Sequence, residues 1–460
     1  MSSYKRRKTI GNTDWLVHDR FGMFIHFGLF SMPARHEWVK TYERLPEEVY
    51  DKYFKYFNPD MFDACDLARR AKEAGMKYAV LTTRHHEGFA LFDSQYSDYK
   101  ITNTAYGRDL VKEYVDAFRA EGLKVGFYYS LLDWYHPDYT IDQCHWLYNK
   151  PNIKELNQNR DWNKYIEFMH NQVRELMTNY GKIDALWFDY SFTNDPNNKS
   201  VPYVPGIDSK GPEEWQSERL VKMIRELQPE IVINNRLGIP QDTTTPEQRQ
   251  LDEWPQFENG EYMTWEACQT FSGSWGYHRD EMTWKSPEML IQMLIKTVAT
   301  GGNLLLNVGP CARGYIDDRA CNSLEAIGKW MKYNSRSIYG CTMAEPEFTA
   351  PDGTWLTQSE DGSRLYVHLF SYPYKFLTMD NIADKIDYAQ FLHDASEIRY
   401  QKDTVPVKLE AGSQDYTRTV AENRIRFTLP VVQPNQTVPV IEIFLKQQTL
   451  QQTENSEEFL

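Results

Sequence analysis

The sequence predicts a (β/α)8-like barrel followed by a small antiparallel β-sandwich. Three observations carry that expectation. The chain has 460 residues, enough for one large barrel with an accessory domain. Its first three-quarters alternates short apolar runs with amphipathic stretches. Near residue 340 this pattern gives way to period-two alternation broken by Gly, Pro, Asn and Asp.

The apolar runs fall at 21–28 (FGMFIHFG), 78–83 (YAVLTT), 123–130 (LKVGFYYS), 184–191 (DALWFDYS), 231–237 (IVINNRL), 263–270 (MTWEACQT) and 303–308 (NLLLNV). Each is short and rich in β-branched or aromatic residues, as buried parallel strands are. Helical spacing of apolar residues appears between them, at 61–75, 108–122, 161–180 and 214–227, with a last helix at 323–333. Strand and helix in repeated alternation imply parallel strands with crossover helices. Seven runs point to an eight-stranded barrel with one strand irregular, and an open doubly wound sheet is the rival. Beyond the last helix, short alternating segments at 354–357, 364–370, 397–400, 406–409, 424–429 and 441–445 predict the sandwich. The expected organisation is a catalytic barrel over 1–340, a sandwich over 341–447 and a polar tail over 448–460.

Composition narrows the function. The net charge of −14 repels phosphate backbones and anionic lipid, which argues against nucleic-acid and membrane-surface roles. No apolar run reaches the roughly 18 residues of a membrane span. The six cysteines are scattered without a CxxC pair, so reduced thiols are expected. The basic N-terminus lacks the apolar stretch of a signal peptide. As written the chain reads as soluble and cytoplasmic, or as periplasmic or secreted if a leader has been removed. Aromatic residues make up 14% of the chain, which suits stacking on sugar faces as well as a Tyr-rich core. Homo-oligomerisation is left open.

Polar residues interrupt the apolar runs at the C-terminal end of one strand after another. They are His26; Arg84, His85 and His86; Asp133 and Trp134; Asp189; and Asn234, Asn235 and Arg236. In a parallel barrel these ends share one face, where active sites are built. A lone histidine of this kind is ordinarily a satisfied core residue, but five strands with one signature favour a shared site. Asp189 stands out, because a carboxylate ending an LWF strand is costly unless it is paired or working. Pairing with Arg236 is the purely structural reading. The functional one is a nucleophile, which in a glycosidase needs a second carboxylic acid. Glu247, Glu253, Glu258, Glu261 and Glu266 are all candidates, and spacing does not choose among them.

Other chemistries find less support. His85 and His86 are neighbours and should face opposite sides of a strand, and no HExxH or paired-Cys pattern is present. No GxSxG elbow and no Walker lysine occur.

At these residues the chain resembles the α-L-fucosidases of glycoside hydrolase family 29. The resemblance is carried by RFGMFIHFGLFSMPARHEW, YAVLTTRHHEGFALFDSQYSDYKI, GRDLVKEYVDAFRAEGLKVGFYYSLLDWYHPDY, DALWFDY, NNRLG with DTTTPEQ, WEACQTFSGSWGY, TGGNLLLNVGP and IGKWMKYNSRSIYG, in order from about residue 14 to 341. It implies a retaining exo-α-L-fucosidase acting on fucosylated glycans, with Asp189 as nucleophile and Glu247 as acid/base. It implies a sugar-binding set of His26, Glu37, Trp38, His85, His86, Tyr128, Trp187, Arg236 and Trp275. No metal or organic cofactor is implied. The chain departs from the commonest family pattern at Phe27, Val39 and Glu87, and DYSF replaces a glycine-containing turn after the nucleophile. These departures are expected around the pocket and its rim. They keep open a related α-L-hexoside with a C6 hydroxyl, such as an α-L-galactoside or α-L-glucoside. A non-catalytic carbohydrate-binding protein and a hydrolase using a metal on His26, His85 and His86 are the rival classes.

Overall fold

The computed structural model describes residues 3–192, 210–403 and 423–446. The chain forms two compact units, residues 4–335 and residues 336–460 together with 1–3.

The larger unit is built on a curled, seven-stranded parallel sheet. Its strands are β1 (Phe21–Ile25), β2 (Tyr78–Arg84), β3 (Lys124–Ser130), β4 (Ala185–Asp189), β5 (Val232–Ile233), β6 (Glu266–Thr270) and β7 (Asn303–Val308). They lie in the order β5-β4-β3-β2-β1-β7-β6. β1, β2, β6 and β7 are buried along their whole length, as parallel strands covered on both faces must be. Inward side chains recur every second residue, as with Phe24, Tyr78, Val80, Tyr128, Trp187 and Leu305, and they fill the interior. Gly22 leaves room for the Tyr78 ring, whose carbons would lie 2.4 Å from a β-carbon there.

The predicted irregular strand is residues 243–247. This segment bridges both sheet edges, with Thr243 pairing Asn234 just past β5, and Thr244 and Glu247 pairing Trp265 and Cys268 at β6. Asn235 N donates to Thr243 O at 2.9 Å, and Gln248 N donates to Cys268 O at 3.0 Å. Its sequence, TTTPE, has no apolar run, and Pro246 carries no N–H for a ladder.

Helices Ala64–Glu73, Leu110–Ala120, Trp162–Thr178 and Ser217–Leu227 stand close to their predicted places. Asp63, Asp109 and Asp161 cap the first three, accepting from backbone N–H groups of the first turn. Helices Glu47–Tyr56 and Pro287–Ala299 were not foreseen.

The smaller unit contains β8 (Cys341–Met343), β9 (Thr354–Ser359), β10 (Arg364–Leu369), β11 (Phe376–Met379), β12 (Ile386–Phe391), β13 (Tyr400–Lys402), β14 (Ile425–Thr428) and β15 (Val440–Leu445). These form antiparallel sheets of five and three strands. Leu365, Val367 and Ile441 from one and Leu377 and Phe427 from the other share a core. β8, β11 and β12 have no counterpart in the sequence expectation, while the strand expected at 406–409 and the tail at 448–460 lie outside the described residues.

Candidate active site

The strand ends open on a cavity of about 1260 Å³. All eleven catalytic and sugar-binding residues implied by the family resemblance line it. His26 and Glu37 follow β1, with Trp38 beside them. His85 and His86 follow β2, Tyr128 is in β3, and Trp187 and Asp189 end β4. Arg236 follows β5, Glu247 lies on the bridging segment, and Trp275 follows β6.

Asp189 is buried and held by three donors. Tyr128 Oη donates to Oδ2 at 2.8 Å, Arg236 Nη1 donates to Oδ1 at 2.9 Å, and the Tyr190 N–H donates to Oδ1 at 3.0 Å. The same Arg236 Nη1 lies 2.8 Å from Glu247 Oε2. A shared donor limits these two carboxylate oxygens to a separation of at most about 5.7 Å, compatible with the roughly 5–5.5 Å of a retaining pair. Arg236 is fixed in turn by Thr245, with Nε to Oγ1 at 3.0 Å and Nη2 to the carbonyl at 3.2 Å. Its guanidinium lies 4.4 Å from the Trp187 ring centre. Pairing of Asp189 with Arg236 was the structural reading, and the structure contains it as part of the cavity wall.

The histidines are neutral. Burial drives His26 down to about 3. Its Nδ1 sits 2.6 Å from Asn307 Oδ1, an acceptor, so Nδ1 carries the hydrogen and Nε2 is left as an acceptor. Burial likewise holds His85 and His86 well below the ordinary imidazole range. Ser130 Oγ donates to the Leu132 carbonyl, so His86 Nδ1 donates to Ser130 Oγ at 2.7 Å. The other nitrogen of His86 is 3.9 Å from Asp189 Oδ2, too far for a hydrogen bond, and an uncharged ring forms no ion pair there. His85 Nδ1 is buried without a hydrogen-bond partner among the described residues. The expectation that His85 and His86 face opposite ways fails, because β2 ends at Arg84 and strand alternation stops before them. Their ring centres are 3.9 Å apart.

Glu37 is buried, and its Oε2 accepts from Gly276 N at 2.9 Å. Burial raises its carboxyl above the usual range. Phe24, which spacing alone did not single out, lines the cavity among Trp187, Trp275 and Tyr128, with ring centres 5.3 to 6.0 Å away.

Several candidates lie elsewhere. Arg84 and Asp133 pair with each other at 2.6 Å, fully buried behind the cavity. Asn234 serves the backbone of Phe188, at 2.8 and 2.9 Å. Trp134 packs behind Trp38, at 5.1 Å. Among the downstream carboxylates, Glu253, Glu258 and Glu261 do not line the cavity. Glu266 is buried in the barrel interior, where its oxygens take the Tyr78 hydroxyl at 2.5 Å and the Trp187 indole N–H at 3.2 Å. The departures at Phe27, Val39 and Glu87 also turn away from the cavity. Phe27 packs on Phe57 and Phe62, Val39 is fully buried, and the Glu87 carboxylate accepts from Leu29 N at 2.7 Å and from the Tyr50 hydroxyl. Only the turn after Asp189, with Tyr190, Ser191 and Phe192, changes the cavity wall.

Known proteins resemble this chain over most of its length. The Alpha-L-fucosidase family profile matches residues 3–336. Alpha-L-fucosidase isoenzyme 1 from Paenibacillus thiaminolyticus is 42% identical, with a TM-score of 0.84 over 95% of this chain and 99% of that one. Tissue alpha-L-fucosidase of Bos taurus is 30% identical over 76% of this chain and 72% of its own. A family 29 alpha-L-fucosidase from Bacteroides thetaiotaomicron, solved as a trapped covalent intermediate with 2-fluoro-fucosyl fluoride, is 27% identical, with a TM-score of 0.78 over 97% and 98% of the two chains.

Proposed function

The chain belongs to the alpha-L-fucosidase family of glycoside hydrolases, and from that premise we propose that it is a retaining exo-α-L-fucosidase in which Asp189 is the nucleophile and Glu247 the acid/base. The observation that carries the reading is the single Arg236 nitrogen bonded to both carboxyl groups.

Asp189 attacks the anomeric carbon while Glu247 protonates the departing glycosidic oxygen. The glycosyl-enzyme then loses its sugar to a water that Glu247 deprotonates. The pair carries one negative charge before attack, on Asp189, and one afterwards, on Glu247. Arg236 touches both groups and so meets that charge wherever it resides, without moving. Tyr128 and the Tyr190 N–H direct Asp189 while it is ionised. The Glu247 side chain is 43% exposed, which lets it exchange its proton with water between steps. Neutral His26, His85 and His86, with Glu37, offer hydrogen bonds to the sugar hydroxyls, and His85 has a buried nitrogen for one of them. The rings of Phe24, Trp187 and Trp275 supply an apolar surface for a C6 methyl.

Azide tests both roles at once. Asp189→Gly should be at least ~1000-fold slower on an aryl α-L-fucoside, and azide should restore turnover to the β-fucosyl azide. Glu247→Ala with azide should give the α-fucosyl azide, through two displacements. The same anomer from both variants, or full activity in either, would refute the assignment.

A further inference from the structure

Tyr190, the residue after Asp189, has a φ of 76°, a left-handed conformation that a side chain disfavours and glycine accepts. The tertiary structure holds it there. Its N–H is tied to Asp189 Oδ1 at 3.0 Å, and its ring packs against His86, Phe192 and Trp38 at 4.5, 5.1 and 5.4 Å between centres. That conformation turns a phenol into the cavity where a glycine would leave open space.

The hydroxyl has no hydrogen-bond partner among the described residues. Burial, then the charge of Asp189, with Cys144 and Glu247 adding to it, keeps the phenol protonated well above neutral pH. It is therefore an unused donor beside both carboxyl groups of the proposed reaction. Gln143, Cys144, Tyr148, Gln248 and Arg249 line the same cavity. At about 1260 Å³ it exceeds the roughly 300–1,000 Å³ of ordinary ligand pockets and has room for more than one sugar.

We propose that Tyr190 is a specificity residue that contacts the first sugar of the leaving group, its ring forming a wall and its hydroxyl donating to an oxygen of that sugar. This rests on the fucosidase reading. The leaving oxygen must meet Glu247, and Tyr190 lines the same cavity, close enough to feel the charges of both Asp189 and Glu247.

The test compares kcat/KM on phenyl α-L-fucoside, whose leaving group has no such oxygen, with that on whichever α1-3, α1-4 or α1-6 linked fucosyl-N-acetylglucosamine the wild type cleaves fastest. Tyr190→Phe should lower the disaccharide value about fivefold to tenfold more than it lowers the phenyl value. Tyr190→Gly should lower the disaccharide value further. It should also melt above Tyr190→Ala, which keeps a β-carbon at positive φ. Equal losses on both substrates in Tyr190→Phe, or none on either, would overturn the leaving-group contact. A wild type that cleaves no α-L-fucoside would overturn the fucosidase reading itself, before any variant is made.

Discussion

Glu266 offers a sharp test of the barrel interior through its charge. Burial raises its carboxyl to about 7, partly opposed by the hydrogen bonds from Tyr78 and Trp187. The ordinary value is 4.5. A carboxyl raised in the folded state binds its proton more tightly there than in the unfolded chain. Stability from this group is therefore present in full at acidic pH and lost as pH rises through the folded value. Integrated from pH 5 to pH 8, the difference in bound protons removes about 2.5 kcal/mol. Glu266→Gln keeps the shape and one acceptor but does not titrate. Its offset from wild type should be independent of pH, so the stability difference should move in favour of the variant by about 2–3 kcal/mol across that interval. Glu87, also raised to about 7 by burial, is present in both proteins and cancels. Guanidinium unfolding followed by tryptophan fluorescence is the assay, since every tryptophan except Trp355 lies before residue 336. A difference constant within about 0.5 kcal/mol, or one that moves the other way, would show that Glu266 is not the buried, proton-binding group described here.

Two further substitutions probe the same machinery. Arg236→Met removes the donor shared by Asp189 and Glu247, and the loss of a charge-assisted bond in the transition state should lower kcat/KM on an aryl α-L-fucoside about 10-fold to 150-fold. A loss below about threefold would mean that the guanidinium is structural only. Gly22→Ala puts a β-carbon 2.4 Å from the Tyr78 ring, which must shift and drag its bond to Glu266 with it. Overpacking of this kind should cost about 1–3 kcal/mol in the same unfolding assay, and a neutral result would mean that the ring moves freely.

Much of the site could be read in the sequence because parallel strands impose a common direction. His26, Asp189 and Arg236 each end or follow an apolar run, and the fold carries all such ends to one rim. The same rule overreached at Asp133, Arg84 and Asn234. They end runs as polar residues do at a rim, yet their side chains turn to each other or to backbone. Position along a strand says which end a residue occupies. It does not say which way a side chain turns once the strand has stopped, and His85 and His86 show that in the opposite sense.

The amino-acid sequence by itself determined the architecture and the nucleophile candidate, since apolar period, turn residues and strand-end polarity are local properties, and its motifs carried the family resemblance. The surroundings of the downstream carboxylates belonged to the tertiary structure. Glu247 and Glu266 are both near β6, yet one faces the cavity beside Arg236 and the other is enclosed between Tyr78 and Trp187. The segment carrying Glu247 is held as a strand by edges supplied from β5 and β6, not by its own polar, proline-containing sequence. Tyr190 is similar, because no local preference puts a tyrosine at a φ of 76°. Its bond to Asp189 and its packing against His86 and Trp38 hold it there, and those two rings come from distant parts of the chain. Long-range contacts of this kind have no signature in a window of sequence, because the energy that fixes them is shared among elements that meet only on folding.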